Sequence, residues 1–182
     1  VLRRLLVVLV LLGLVLALAW AIGAGWNPVP STPSSPAEPA GPGATGIPAG
    51  AQQATVEYVH DGDTIFLDDG RKVRLLGINT PEIGENAQCG GDEATSALRA
   101  LLPEGTPVWV LADTEPLDQY GRSLLWVFLP DGTNVNLELV RGGFAGVEQY
   151  APNWLYRDEL GAAEESARSS SAGLWAACGS VG

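Results

Sequence analysis

Lys72-Val73-Arg74-Leu75-Leu76-Gly77-Ile78-Asn79-Thr80-Pro81-Glu82 is the stretch on which the fold turns. Residues 73–78 read as one apolar strand, and Pro81 stops it by fixing φ and withholding an N–H. Alternation puts Arg74 on the face opposite Val73 and Leu75. A strand with apolar residues on both sides has little use for a guanidinium unless an anion or an acid needs it. Both partners stay open at this point.

On either side of this stretch the pattern continues. Residues 56–59 and 64–67 join 72–76 in a meander, with Asp68-Asp69-Gly70 as the hairpin turn between the last two. Residues 93–102 carry Ala94, Ala97, Leu98, Leu101 and Leu102 on one helical stripe, and Pro103 lies just beyond its end. Residues 108–112 and 123–129 read as strands, and Pro130-Asp131-Gly132 is a turn. Residues 135–141 form a short helix ended by Gly142-Gly143. Residues 155–170 form a third helix. Five strands with three helices over residues 54–182 predict an α+β fold on a five-stranded OB-type β-barrel. A span of about 130 residues is ample for one core.

Two segments precede this domain. Residues 1–26 predict a signal peptide or signal anchor. Arg3 and Arg4 come before 22 uncharged residues, 5–26, or roughly 33 Å of helix against a bilayer core of about 30 Å. The positive flank lies before the apolar run, so the remainder of the chain should face outward. Ala17-Leu18-Ala19 offers a small-x-small cleavage site, which leaves an uncleaved membrane anchor and a cleaved leader both open. Residues 27–53 read as a disordered linker rich in Pro, Ala, Ser and Gly. Pro30, Pro33, Pro36, Pro39 and Pro42 would line one edge of a polyproline II strand. A spacer is the plain reading of that edge, and a ligand for a proline-reading module is the other.

Charge excludes one class of partner. The chain has 182 residues and a net charge of -11, with 10 basic residues, 21 acidic ones and one His. Passive, sequence-blind coating of DNA calls for a basic surface, because phosphate contacts dominate such affinity. A local site where a cation and two arginines meet a phosphate survives that objection. His60, beside Asp61 in a turn, reads as a surface residue. Cys89 and Cys178 are the two cysteines of a chain expected to leave the cytoplasm, and a disulfide between them is the default there. Unpaired structural cysteines are the alternative.

The polar residues of the meander point to a chemistry. Asp63 follows Gly62 at the start of a strand, and Asn79 and Thr80 close another. Two strand ends side by side would bring the Asp63 carboxylate, the Asn79 amide oxygen and the Thr80 carbonyl together. Oxygen ligands without nitrogen or sulfur select a hard cation such as Ca²⁺. Arg122 follows Tyr120-Gly121 and opens another apolar strand. Guanidinium groups hold phosphate through paired hydrogen bonds. Pairing of Arg74 and Arg122 with the domain's own acids remains the plain alternative.

Taken in order, Asp61-Gly62-Asp63-Thr64, Arg74-Leu75-Leu76-Gly77-Ile78-Asn79-Thr80-Pro81-Glu82, Asp118-Gln119-Tyr120-Gly121-Arg122, Asn136-Leu137-Glu138-Leu139-Val140-Arg141-Gly142-Gly143 and Gly173-Leu174-Trp175 resemble the motifs of the staphylococcal nuclease (thermonuclease) family. The resemblance runs over residues 54–178. It implies the OB-type barrel and Ca²⁺-dependent hydrolysis of phosphodiester bonds in DNA and RNA, preferably single-stranded or unstacked, with 5'-hydroxyl and 3'-phosphate products. It implies Asp63, Asn79 and Thr80 as metal ligands. Glu82 would be the general base or orienter of the attacking water, and Arg74 and Arg122 would bind the scissile phosphate. Tyr120 and Tyr150 would contact the nucleotide, Asp61 would hold a metal-bound water, and Asp118 would orient its turn.

Two positions depart from the family. Asn79 stands where many members carry Asp, which removes one negative charge from the metal set and should weaken Ca²⁺ binding. Gln119 stands where some carry Lys, which removes a possible phosphate contact. The expectation is therefore a monomeric, extracytoplasmic nuclease, secreted or held at the membrane surface. A non-catalytic OB-type module that binds nucleic acid or protein is the alternative, favoured by Asn79 and by the acidic charge.

Overall fold

The computed structural model describes residues 46–181. The expected apolar segment 1–26 and residues 27–45 of the expected linker lie outside these. Among the described residues no helix is long and apolar enough to cross a membrane.

Five strands close into a barrel: β1 (Gln52–Val59), β2 (Thr64–Leu67), β3 (Lys72–Leu75), β5 (Pro107–Leu117) and β6 (Ser123–Phe128), ordered β1-β2-β3-β6-β5. The β3–β6 pair is parallel, with Arg74 opposite Leu124, and the other pairs are antiparallel. This agrees with the OB-type barrel expected from the sequence. Alternation supplies the core: Val56, Ile65, Leu67, Val73, Leu75, Val108, Val110, Leu125 and Val127 are all buried. Strand β1 begins at Gln52, two residues before the expected domain start, because Gln52 and Gln53 pair with Val110 and Trp109.

Three helices lie where the sequence places them, with shifted ends. Helix α1 (Gly91–Leu101) starts two residues before the expected 93, behind Gly90 at φ 88°. Asp92 and Glu93 in its first turn suit the positive end of the helix dipole. Helix α2 (Val135–Arg141) has the expected bounds and is capped by Asn134, whose side chain accepts from Leu137 N–H at 3.1 Å. Helix α3 (Arg157–Ser169) turns Leu160, Ala163 and Ala167 inward. A fourth, single-turn helix, α4 (Leu174–Ala177), was not expected.

The stretch 73–78 is not one strand. β3 ends at Leu75, Gly77 turns the chain at φ 77°, and β4 (Ile78–Asn79) pairs with β7 (Gly146–Val147) in a separate two-stranded sheet. The corner is packed shut: a Cβ on Gly77 would lie 2.6 Å from Leu160 and 2.7 Å from Trp126. Buried Asn136 of α2 braces it, donating to the Leu76 carbonyl at 2.9 Å and accepting from Val127 N–H at 3.0 Å. Strand β5 runs on past the barrel, so residues 113–117 form an arm that returns through the turn at 118–122 into β6. Cys89 and Cys178 are disulfide-bonded, with Cα atoms 5.9 Å apart.

Candidate active site

The Gly77 corner aims Arg74 out of the barrel wall and wraps its guanidinium in oxygens. Nη1 donates to the carbonyls of Leu75 (2.9 Å) and Ile78 (2.7 Å), and Nη2 donates to Asn79 Oδ1 (2.9 Å). Nε lies 3.1 Å from Asp63 Oδ1, and Nη2 lies 3.8 Å from Glu148 Oε2. Asp63 is itself buried at the start of β2. Its Oδ2 accepts from both the N–H and the hydroxyl of Thr80, each at 3.0 Å, and its Oδ1 also accepts from Thr64 Oγ1 at 3.2 Å. Asp61 accepts from the Asp63 N–H at 3.1 Å and so sets the turn that presents this carboxylate. Burial raises the Asp63 pKa above its ordinary value; Arg74 and the two Thr80 donors pull it down, and the neighbouring Asp61 adds to the rise.

Asp63, Asn79 and Thr80 are therefore brought together as the sequence expects. The donor set fits a hard cation in kind: the Asp63 and Asn79 oxygens already converge on one positive charge, the Arg74 guanidinium, and carry neither nitrogen nor sulfur. The same contacts set its limit. Each Asp63 oxygen has two donors, so a metal ion would compete with Arg74 and Thr64 at Oδ1 and with the Thr80 N–H and hydroxyl at Oδ2. Among the described residues no three His, Cys, Asp or Glu side chains form a metal-holding group. Thr80 acts in this arrangement through its N–H and hydroxyl, where the sequence pointed to its carbonyl.

Arg122 sits across a cleft of about 540 Å³ whose lining includes Arg74, Arg122, Tyr120 and Tyr150. Its Nε lies 2.6 Å from Asp118 Oδ2, and Asp118 Oδ1 accepts from the N–H groups of Tyr120 and Arg122, both at 2.9 Å. Asp118 thus orients the turn, as expected. Burial acts to raise its pKa but is outweighed by the Arg122 side chain and the two N–H groups, which hold it below the ordinary value. Among the described residues the two Nη atoms of Arg122 have no hydrogen-bonding partner. Tyr120 and Tyr150 are 77% and 70% exposed at the cleft, and the Arg122 guanidinium lies over the Tyr120 ring, 5.8 Å from its centroid.

Glu82 is exposed and not part of the cleft lining; it follows Thr80 by two residues, so the Asp63–Thr80 contacts fix where it begins. His60 is half exposed, as read from sequence. Two cleft residues escape a reading of the sequence. Glu148 faces Arg74 and, by hydrogen bonding and by charge, raises the Tyr150 phenol above its usual pKa. Its signal was spacing, since positions 148 and 150 share a face in extended chain. Asn153 holds the β5 arm, accepting from Glu115 N–H at 2.8 Å and donating to the Glu115 carbonyl at 3.0 Å.

A buried carboxylate–arginine corner and a second arginine thus share one cleft, with two exposed tyrosines, on a closed five-stranded barrel. A family model described as staphylococcal nuclease homologue matches residues 72–177. The chain is 36% identical over 126 residues to a thermonuclease of Staphylococcus intermedius, covering 66% of this chain and 74% of that one. It is 38% identical over 121 residues to an uncharacterized endonuclease of Escherichia coli O157:H7, covering 64% and 72%. It is also 32% identical over 140 residues to endonuclease YhcR of Bacillus subtilis, covering 69% of this chain but 12% of that much longer one. The chain belongs to the staphylococcal nuclease homologue family. Family and relatives together support a nuclease.

Proposed function

We propose that this domain is a Ca²⁺-dependent endonuclease that hydrolyses DNA and RNA in single-stranded or unstacked form. The observation that carries the reading is one cleft with Arg74 and Arg122 on its walls and two exposed tyrosines at its rim. The tyrosines stack against bases and hold the strand, which is sequence-tolerant because every base has a π-face. Arg122 presents its two unpartnered nitrogens to the phosphate. Arg74 moves part of its bonding from Asp63 and Asn79 to the second phosphate oxygen. Glu82 takes a proton from the attacking water. The water oxygen bonds to phosphorus as the P–O5' bond breaks and the departing O5' takes a proton from solvent water, which leaves a 3'-phosphate and a 5'-hydroxyl. Asp63, Asn79 and the Thr80 carbonyl would hold Ca²⁺, which supplies charge to offset that building on the phosphate oxygens.

The disulfide and the positively flanked apolar run before the domain support an extracytoplasmic location, secreted or anchored. Calcium-rich exteriors suit a metal set with one carboxylate. One observation favours the second reading, a binding module without turnover. Both arginines are ion-paired, and the cleft also carries Glu115, Asp118 and Glu148.

The test is cleavage of single-stranded DNA by the full chain while Ca²⁺ is titrated from micromolar to about 10 mM. Glu82→Ala should abolish turnover, and Asn79→Asp should move the titration to lower Ca²⁺. Folded wild-type chain that cuts at no Ca²⁺ level would leave the binding module standing.

A further inference from the structure

Glu82 has an unusual support. Its N–H donates to Gln88 Oε1 at 2.9 Å, and its carbonyl accepts from Gln88 N–H at 2.9 Å. One side chain and one backbone group of Gln88 thus close residues 82–88 into a ring around the single 3₁₀ turn Gly84–Asn86. The Glu82 carbonyl is also pressed against the first residue of α1: a Cβ on Gly91 would lie 2.3 Å from it.

The ring has little else to hold it. The 3₁₀ turn buries no side chain, and residues 84–89 are exposed. A segment with so little burial opens readily unless it is fastened. The fastening begins at the next residue. Cys89 is bonded to Cys178 at the end of α4, and Leu174 of α4 covers Gly90, where a Cβ would lie 2.5 Å from its side chain. Loop and C-terminal turn therefore form one fixed base under Glu82, whose own carboxylate stays exposed.

We infer that Gln88, backed by the Cys89–Cys178 disulfide, is a positioning residue for the Glu82 carboxylate. The inference rests on the proposed role of Glu82 as base. A misplacement of about 1 Å in a reacting group costs on the order of 10²-fold in rate. The Gln88 acceptor oxygen and the disulfide limit that drift by fixing the backbone from which the carboxylate swings.

The experiment compares kcat and KM of the full chain on single-stranded DNA for wild type, Gln88→Ala, Gln88→Glu, Glu82→Gln, the pair Cys89→Ser with Cys178→Ser, and Gln88→Ala combined with Glu82→Gln. Gln88→Ala should lower kcat about tenfold, the worth of one lost hydrogen bond, with KM within about twofold. Gln88→Glu keeps an acceptor oxygen and should recover most of that loss. In the Glu82→Gln background, Gln88→Ala should cost nothing further, because the two act as a unit. The cysteine pair, assayed well below its melting temperature, should show the same kcat-selective loss. Wild-type kcat in Gln88→Ala, or an equal added loss in the Glu82→Gln background, overturns the positioning role while the role of Glu82 stands. Wild-type kcat in Glu82→Gln overturns the base itself, and the inference with it.

Discussion

The two arginine corners of the cleft are built from the same pair, Arg with Asp, and come out differently. Arg74 is anchored through all three nitrogens, and its side chain is 14% exposed; its partner Asp63 is buried between β2 and Thr80. Arg122 is anchored through Nε, and its side chain is 29% exposed on a turn beyond the barrel. One corner joins β2, β3 and β4 and is structure as much as site. The other is held by a single ion pair and keeps its remaining donors for a ligand. On the proposed function, a phosphate gripped between them would meet one rigid wall and one adaptable one.

Removal of each guanidinium tests that contrast most directly. Arg74→Ala leaves the buried Asp63 without its countercharge and the Leu75 and Ile78 carbonyls without a donor. Loss of one partner of a buried pair costs about 3 kcal/mol or more. The variant should therefore be nearly inactive and also show a markedly lower urea midpoint. An unchanged midpoint would mean that Arg74 is not part of the framework. Arg122→Ala removes a partly exposed pair on a turn beyond the barrel, worth about 1 kcal/mol. Its midpoint should barely move, yet its kcat should fall about 10²-fold, as for loss of a charge-stabilising donor. Equal stability losses in the two variants would erase the distinction.

The difference between the corners also marks what the sequence reveals. Arg74 stood out because it is the one charged residue within the run 73–78, whose other positions are apolar or Gly, so its face of the strand had no evident reason to hold a guanidinium. The barrel was legible from the inward Ile, Val and Leu at alternate positions of β2, β3 and β5, although β1 is bulged between Val56 and Tyr58 and β6 is buried continuously from Leu125 to Phe128. The break at Gly77 was not, since Leu76 and Ile78 are apolar on both sides of it and two-residue strands such as β4 and β7 carry no period. The arm at 113–117 escaped because it is polar and pairs with β6 without packing on the core. Helix α1 starts behind a left-handed glycine without a side-chain cap, so no Ser, Thr or Asp announced it. Arg74, Arg122, Tyr120 and Tyr150, named through resemblance, do line one cleft, whereas Glu82, named with them, lies outside its lining. The wiring of the site was not legible: that Thr80 donates to Asp63, that Glu148 faces Arg74 and that Gln88 holds Glu82 are contacts made across turns whose geometry no local pattern encodes.

The smallest effect, and the finest test of the contrast, is in the titration of the two aspartates. They share a reference value of 3.8, and the corners push them in opposite directions. Burial raises Asp63, so the folded chain holds that proton more readily than the unfolded one. The stability contributed there is complete below the ordinary pKa and falls as pH rises through the raised value. At Asp118, burial is outweighed by Arg122 and the two N–H groups. The folded chain there prefers the carboxylate, and the contribution is present above the ordinary pKa and is lost as pH falls through the lowered value. Carboxyl carbon shifts followed by NMR from about pH 7 to pH 2, a range that brackets the carboxylates, should show Asp63 titrating first and Asp118 last. Asp118→Asn should reduce the acid-side loss, to which Asp69 and Asp131, also held below the ordinary value by their hydrogen bonds, still contribute, and leave the Asp63 transition in place. If the two residues titrate together, burial does not separate the corners, and the rigid wall and the adaptable one are electrostatically the same.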